Sequence, residues 1–347
     1  EWSWDAKRFL DVYQVTVDQQ QLGKPKRVSK VNTKFHEGPL AFAPDGKTVY
    51  FTRNNIASGS KRRDGQKIQN LKLYSATVDE HGKWDNEQEF PYNSKDFSVG
   101  HPTISKDGKT IYFVSDKPGG HGGADIYKAA ILPDGTFGEM INLGKDINTE
   151  GQEMFPFIDG EGRLFFSTDG HPGLGGLDVF VALPEGEQFG KIHNLGLPVN
   201  GQFDDFAFNL SNDLKTGFLS SNRDGGKGGD DIYAVQLIRP FVFGITIKGT
   251  AKDKKGEIIP FAKIDLKDDK GTIIETVTAD ENGAYSFEAE YEKNYGLAGT
   301  KTDYFDGKNT ANTFTNEQVV IADVILEKDP GLSLYALITD KKTGLPL

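Results

Sequence analysis

Apolar residues along this chain fall in short alternating runs, broken by polar or glycine-rich stretches and never sustained at helical spacing. Asp11–Val17 (DVYQVTV) shows period-two alternation and predicts one strand. From Glu37 a longer pattern sets in. EGPLAFAPDGKTVYFTRNN, GHPTISKDGKTIYFVSD, EMFPFIDGEGRLFFSTD and DDFAFNLSNDLKTGFLSSN each hold two apolar strands joined by a polar turn. The turns are Pro44-Asp45-Gly46, Lys106-Asp107-Gly108, Gly160-Glu161-Gly162 and Asn212-Asp213. Asp-Gly accepts positive φ at low cost, as a tight hairpin requires.

After the second strand comes a glycine-rich turn and an Asp-apolar-aromatic opening: SDKPGGHGGADIY (Ser115–Tyr127), STDGHPGLGGLDVF (Ser167–Phe180) and SSNRDGGKGGDDIY (Ser220–Tyr233). A looser copy closes on LKLY at Tyr74 and a bare DVY on Tyr13. The aromatic residues Tyr13, Tyr74, Tyr127, Phe180 and Tyr233 are spaced by 61, 53, 53 and 53 residues. A fixed period of this size marks stacked supersecondary units, none able to bury its faces alone. A fourth strand is expected in Leu132–Gly144 and Leu183–Gly196. Four strands per unit predict an all-β fold built on a β-propeller, with residues 1–238 as the ring and five blades implied. The first blade is incomplete, because only ten residues precede Asp11. Its missing strands are expected upstream of residue 1, the alternative being an open ring.

After Arg239-Pro240 the pattern changes. Residues 241–328 carry evenly punctuated short strands, Ile-Pro before one of them and the run Asp280-Glu281-Asn282-Gly283-Ala284-Tyr285, and predict a small β-sandwich. Residues 329–347 read as a linker or the start of another module. Ile338–Leu347 (ITDKKTGLPL) parallels AKDKKGEIIPF at the sandwich's opening, with Pro346 matching Pro260. The chain is expected to be a processed product or a piece of something longer.

The PDGKTVYF and SDxxGGxGGxDIY patterns resemble the repeat of TolB-type propellers, relatives of the WD propellers. The variants GHPTIS, NTEGQEMFPF and SSNRDGG are more similar to the periplasmic propellers of OmpA-family outer-membrane lipoproteins, including PorE-like components of the type IX secretion apparatus. The second domain resembles the carboxypeptidase regulatory-like family, which is transthyretin-like. The resemblance implies a non-enzymatic scaffold on the periplasmic side of the outer membrane, with envelope proteins as partners. A lipid anchor or helical repeats would precede this segment. Peptidoglycan would be reached only through a following domain that these residues do not include.

Composition narrows the chemistry. A formal charge of −11 argues against nucleic acid and anionic membrane surfaces. The absence of cysteine removes disulfides and thiolate metal sites. No apolar run approaches the roughly 20 residues of a spanning helix.

The repeated glycine turns lead into strands rather than helices, so they are read as architecture, and Asp125, Asp178 and Asp231 as bonding their own turns. Aligning Pro39, Pro102, Pro156 and Ala207 brings acids to the blade openings. Glu37, Glu153, Asp204 and Asp205 are therefore candidates for a cation at the channel mouth, with pairing to local backbone as the competing reading. His36 and His101 with these acids allow a glycosidase-like centre as an alternative, although no metal-binding or nucleophile motif occurs. No cofactor is implied. Phe51, Phe113, Phe166 and Tyr127 recur at equivalent positions and are expected between blades, whereas the non-repeating Trp2, Trp4 and Trp84 are interface candidates. The insertion Ile56–Asn70 carries Lys61, Arg62 and Arg63, a cationic loop on an acidic body that could dock an acidic partner.

Overall fold

The computed structural model describes residues 10–18, 21–28, 31–33, 35–54, 56–57, 60–61, 70–238, 241, 243–290, 292–315, 317–331 and 336–346. These residues form strands and turns throughout, with no helix among them. The chain divides into two compact units, Glu1–Ile238 and Arg239–Leu347.

The first unit is a propeller of consecutive antiparallel sheets. The first sheet contains, from the inside outwards, Glu37–Phe42, Thr48–Asn54, Leu71–Val78 and Trp84–Glu89. Val99–Ile104, Thr110–Ser115, Asp125–Ala130 and Ile141–Asn142 make the second. The third holds Glu153–Ile158, Leu164–Thr168, Asp178–Glu185 and Gln188–Asn194. Among the described residues the fourth has three strands, Asp205–Leu210, Thr216–Ser221 and Asp231–Gln236, where four were expected.

The physical reason is chain length. In the second and third sheets the outer-strand Asn142 and Asn194 lie opposite Tyr127 and Phe180. The same interval counted from Tyr233 falls on Ile247 or Lys248, which are already paired with Phe287 and Ser286 in the second unit. At the other end, Tyr13–Gln14 pairs with Lys26–Arg27 and Val17–Asp18 with Gln21–Leu22. The single strand expected over Asp11–Val17 is thus interrupted by a one-residue slip in register, and among the described residues two strands stand where a full blade would have four.

Apolar clusters lie between successive sheets, as the repeat requires. Val12, Val28 and Val31 pack with Val49, Phe51 and Tyr74. Tyr50 and Leu73 join Ile111, Phe113 and Tyr127, while Val114 and Ile126 join Leu164, Phe166 and Phe180. The middle strand Leu164–Thr168 is buried along its whole length, since both faces meet neighbouring sheets. Trp84, read from sequence as an interface candidate, is instead buried, with its ring edge-on to Phe51 at 5.3 Å. It closes the first sheet's outer face. Trp2 and Trp4 lie outside the described residues.

The second unit is a β-sandwich. One sheet orders Ala284–Ala289, Ile245–Lys252 and Val319–Ile321, with Val324–Ile325 also beside Ile245–Lys252. The other orders Ile273–Thr278, Lys263–Lys267, Asn294–Thr300 and Gly307–Asn312. Strict alternation of buried and exposed positions in Ala284–Ala289 sends Tyr285 and Phe287 into a core with Ile247, Ile264 and Leu297. The C-terminal parallel with this domain's opening extends to geometry. Asp253 and Asp340 each cap their own turn, and bridges close Lys252 on Ile258 and Thr339 on Pro346.

Candidate functional site

The inner strands of the four sheets surround a funnel of about 830 Å³, lined by Leu40, Thr103, Phe157 and Asn209 among others. Each inner strand carries a bulge three positions into its length. In the last three sheets the bulge holds a non-glycine residue at positive φ: His101 at 50°, Phe155 at 52° and Ala207 at 52°. A bulge re-aims side chains. Here the His101 ring stacks on Phe155 with centroids 4.3 Å apart, and Phe155 meets Phe206 at 5.0 Å. His101 Nδ1 accepts a hydrogen bond from the Phe155 N–H at 3.4 Å, while the Thr52 hydroxyl accepts one from the His101 N–H at 2.9 Å. Burial pushes the imidazole down to about 4, so the ring is neutral at physiological pH. At the rim Lys106 reaches the Gly160 carbonyl at 3.4 Å, and Asp159 is held by Arg163.

The bulges also set the true alignment of the blades. By strand pairing Glu37, Val99, Glu153 and Asp205 are equivalent, opposite Arg53, Ser115, Thr168 and Ser221. Alignment on Pro39, Pro102, Pro156 and Ala207 is therefore one residue out in the first and fourth blades. Pro39 matches His101, Phe155 and Ala207 instead.

The acids do not converge. Glu37 Oε1 accepts from the Thr33 N–H at 3.0 Å and hydroxyl at 2.5 Å, with Arg53 at 3.3 Å. Burial nevertheless raises its pKa against those partners. Glu153 repeats the arrangement with the Thr149 N–H and hydroxyl, adding the Thr168 hydroxyl at 2.8 Å. Asp205 accepts from the Gly201 N–H at 2.6 Å and from Arg223 at 2.5 Å. Asp204 points elsewhere, joining the Leu177 N–H of the preceding sheet to Asn222. No group of three or more His, Asp or Glu side chains among the described residues is placed to share a metal ion. The cation ring expected at the channel mouth is replaced by separately engaged carboxylates, because Glu37, Glu153 and Asp205 each face their own loop four residues earlier and Asp204 is held between Leu177 and Asn222.

The glycine turns are architecture, as the strand context implied. Asp125 and Asp231 each accept two turn N–H groups, and Asp178 accepts from the Leu174 and Gly175 N–H groups. A Cβ on Gly120 would stand 2.1 Å from the Asp125 carboxylate oxygen, so glycine leaves the space this carboxylate fills. Gly122 and Gly175 perform a second task, passing against the next blade's backbone. Added Cβ atoms would meet the Thr149 carbonyl at 2.3 Å and the Phe203 carbonyl at 2.2 Å.

Sequence reasoning missed one recurring device. Asn32, Asn93, Asn148 and Asn200 each grip both the N–H and the C=O of the residue before the repeat aromatic: Val12, Leu73, Ile126 and Val179. Each Asn follows its aromatic by 19 to 21 residues, a spacing visible in the sequence once the aromatic register is fixed. Of the cationic insertion, Lys61 falls in the short pair Ile56–Ala57 with Ser60–Lys61, while Arg62 and Arg63 lie outside the described residues. His36 is described but shares no centre with His101: its Nδ1 accepts from the Leu10 N–H at 3.1 Å.

No family model matches this chain, and no curated protein matches it. Solved structures do overlap. TolB from Acinetobacter baumannii is 14% identical with a TM-score of 0.40, covering 90% of this chain and 62% of its own. A TolB-type protein from Agrobacterium tumefaciens is 10% identical with a TM-score of 0.42, covering 80% and 83%. Puromycin hydrolase is 14% identical with a TM-score of 0.38, covering 89% and 40%. The chain thus spans less than two-thirds of the first TolB and of the hydrolase. At these scores the likenesses carry no argument about function. The propeller architecture rests on the sheets themselves.

Proposed function

We propose that this chain is a non-enzymatic scaffold segment that recruits proteins in the periplasm, as part of an outer-membrane-associated assembly of the PorE-like, type IX secretion kind. The observation that carries the reading is how the repeat uses its polar groups. Glu37, Glu153 and Asp205 hold loops in their own blades, and the repeated turn aspartates hold glycine turns. On a rigid scaffold recognition is usually carried by the loops. Within the described residues no helix is long and apolar enough to cross a membrane.

The test is crosslinking with mass spectrometry on the intact protein in its own envelope. Crosslinks from propeller loops to a defined set of envelope proteins are expected. Replacing Lys61, Arg62 and Arg63 with Ser should lower recovery of those partners at low salt and flatten its decline as salt rises, if that loop steers an acidic partner. Recovery of the propeller with no reproducible partner would overturn the scaffold reading.

A second reading has one observation in its favour, the funnel itself. Its volume suits a peptide or glycan segment, and its wall combines aromatic and apolar groups with the rim amine of Lys106. Saturable binding of peptide or oligosaccharide, abolished by a bulky Thr103→Trp change, would favour this reading.

A further inference from the structure

The outer side of the fourth sheet is a complete docking slot with no strand in it among the described residues. In the second sheet that slot is filled by Ile141–Asn142 and the loop that follows. Asn142 donates to Asp125 Oδ2 at 2.7 Å and bonds the Tyr127 hydroxyl, and the Leu143 N–H and Asn148 satisfy Ile126. The third sheet repeats this with Asn194, Leu195 and Asn200 on Val179. The receiving half is intact in the fourth sheet: Asp231, Ile232 and Tyr233 hold the same register against Ser221, Ser220 and Leu219. The filling half is absent among the described residues. Ile232 is 76% exposed where Ile126 and Val179 are 0%, and the buried Tyr233 hydroxyl has no hydrogen-bond partner.

The strand between Asp231 and Gln236 carries none of the devices that normally blunt an edge. It has no proline, lysine or bulge. The described residues at the required interval downstream, Ile247 and Lys248, are already paired in the second unit.

We infer that Asp231–Gln236 accepts a β-strand from another polypeptide, added antiparallel. Its chemistry is dictated by the sibling sheets. It has an asparagine opposite Tyr233, an apolar residue after it, and a second asparagine six positions on to grip Ile232. The mode is strand addition, in which main-chain hydrogen bonds give affinity and side-chain pockets give selection. The inference deepens the scaffold reading and rests on it for its biological setting, but its test reads strand addition directly.

The probe is a synthetic peptide with this chain's own sequence from 138 to 149 (GEMINLGKDINT), which contains both asparagines. Mixed with the full chain, it should slow hydrogen exchange at the Ile232 and Ala234 amides and bind saturably by fluorescence anisotropy. A peptide with both asparagines changed to Ala should bind at least tenfold more weakly. Ile232→Pro, which removes the receiving N–H, should abolish binding. Tyr233→Phe, which leaves the fold undisturbed, should weaken it severalfold. Equal binding of the two peptides would overturn the inference. So would Ile232 amide exchange, in the protein alone, as slow as that of Ile126 and Val179. The latter would mean the slot is already filled by its own chain. Either failure would leave crosslinked partners elsewhere on the ring, and hence the scaffold reading, untouched.

Discussion

The third and fourth sheets are written in almost the same words and meet different fates. STDGHPGLGGLDVF and SSNRDGGKGGDDIY make the same turn, the same aspartate cap and the same register between second and third strands. Yet Val179 is fully buried and Ile232 stands in solvent. Gly175 presses on the Phe203 carbonyl, whereas a Cβ on Gly228 would meet nothing nearer than the Asp230 carbonyl at 3.6 Å. The comparison separates what a repeat does for itself from what its neighbour does for it. Turn and register are local. Burial is supplied by the next blade and the outer strand.

The sharpest way to break the comparison is to truncate equivalent apolar residues. Ile126→Ala removes a side chain enclosed between two sheets and should cost about 3 kcal/mol in urea unfolding. Ile232→Ala should stay within about 0.5 kcal/mol. Similar costs at both sites would mean that the fourth sheet is covered in solution.

The clamp comes next. Asn200→Ala leaves the buried N–H of Val179 without a partner and its C=O with the Leu195 N–H alone, an expected loss of about 1–3 kcal/mol by the same measurement. The glycines give a third contrast. Gly175→Ala forces backbone apart and should cost about 2 kcal/mol, with Gly228→Ala near neutral.

The smallest effect is pH-dependent and belongs to the funnel. His101 is held neutral, with its pKa lowered from 6.5 to about 4 by burial. The unfolded chain therefore binds a proton in this window that the folded chain refuses. Stability is complete above pH 6.5 and falls as pH drops towards 4, by about 1–2 kcal/mol once the half-buried ring is allowed its solvent screening. His101→Phe keeps the stack on Phe155 and should flatten that slope. An unchanged slope would place the titration elsewhere.

The sequence alone determined the all-β class, the hairpin turns, the period of the propeller and the sandwich that follows it. Each of these depends on contacts within a unit, between residues close in the chain: an Asp and its turn N–H groups, alternating side chains on one strand, Asp-Gly at a hairpin. The one-residue bulge in each inner strand was invisible, since nothing in GHPTIS or EMFPFI marks an inserted residue, and the acids of the first and fourth blades were misaligned because Pro39 and Ala207 stand one position earlier in their strands than Pro102 and Pro156. The partners of those acids were hidden for a further reason. The carbonyls of Val31, Ile147 and Val199 occupy equivalent places but are met by Arg53, His171 and Arg223, from non-equivalent positions and with different chemistry. A buried carbonyl needs only a donor within reach, and whichever side chain the tertiary structure brings there will satisfy it. The three-stranded fourth sheet was likewise a tertiary decision. By the interval at which its siblings add an outer strand, the chain is already committed to the second unit's pairing.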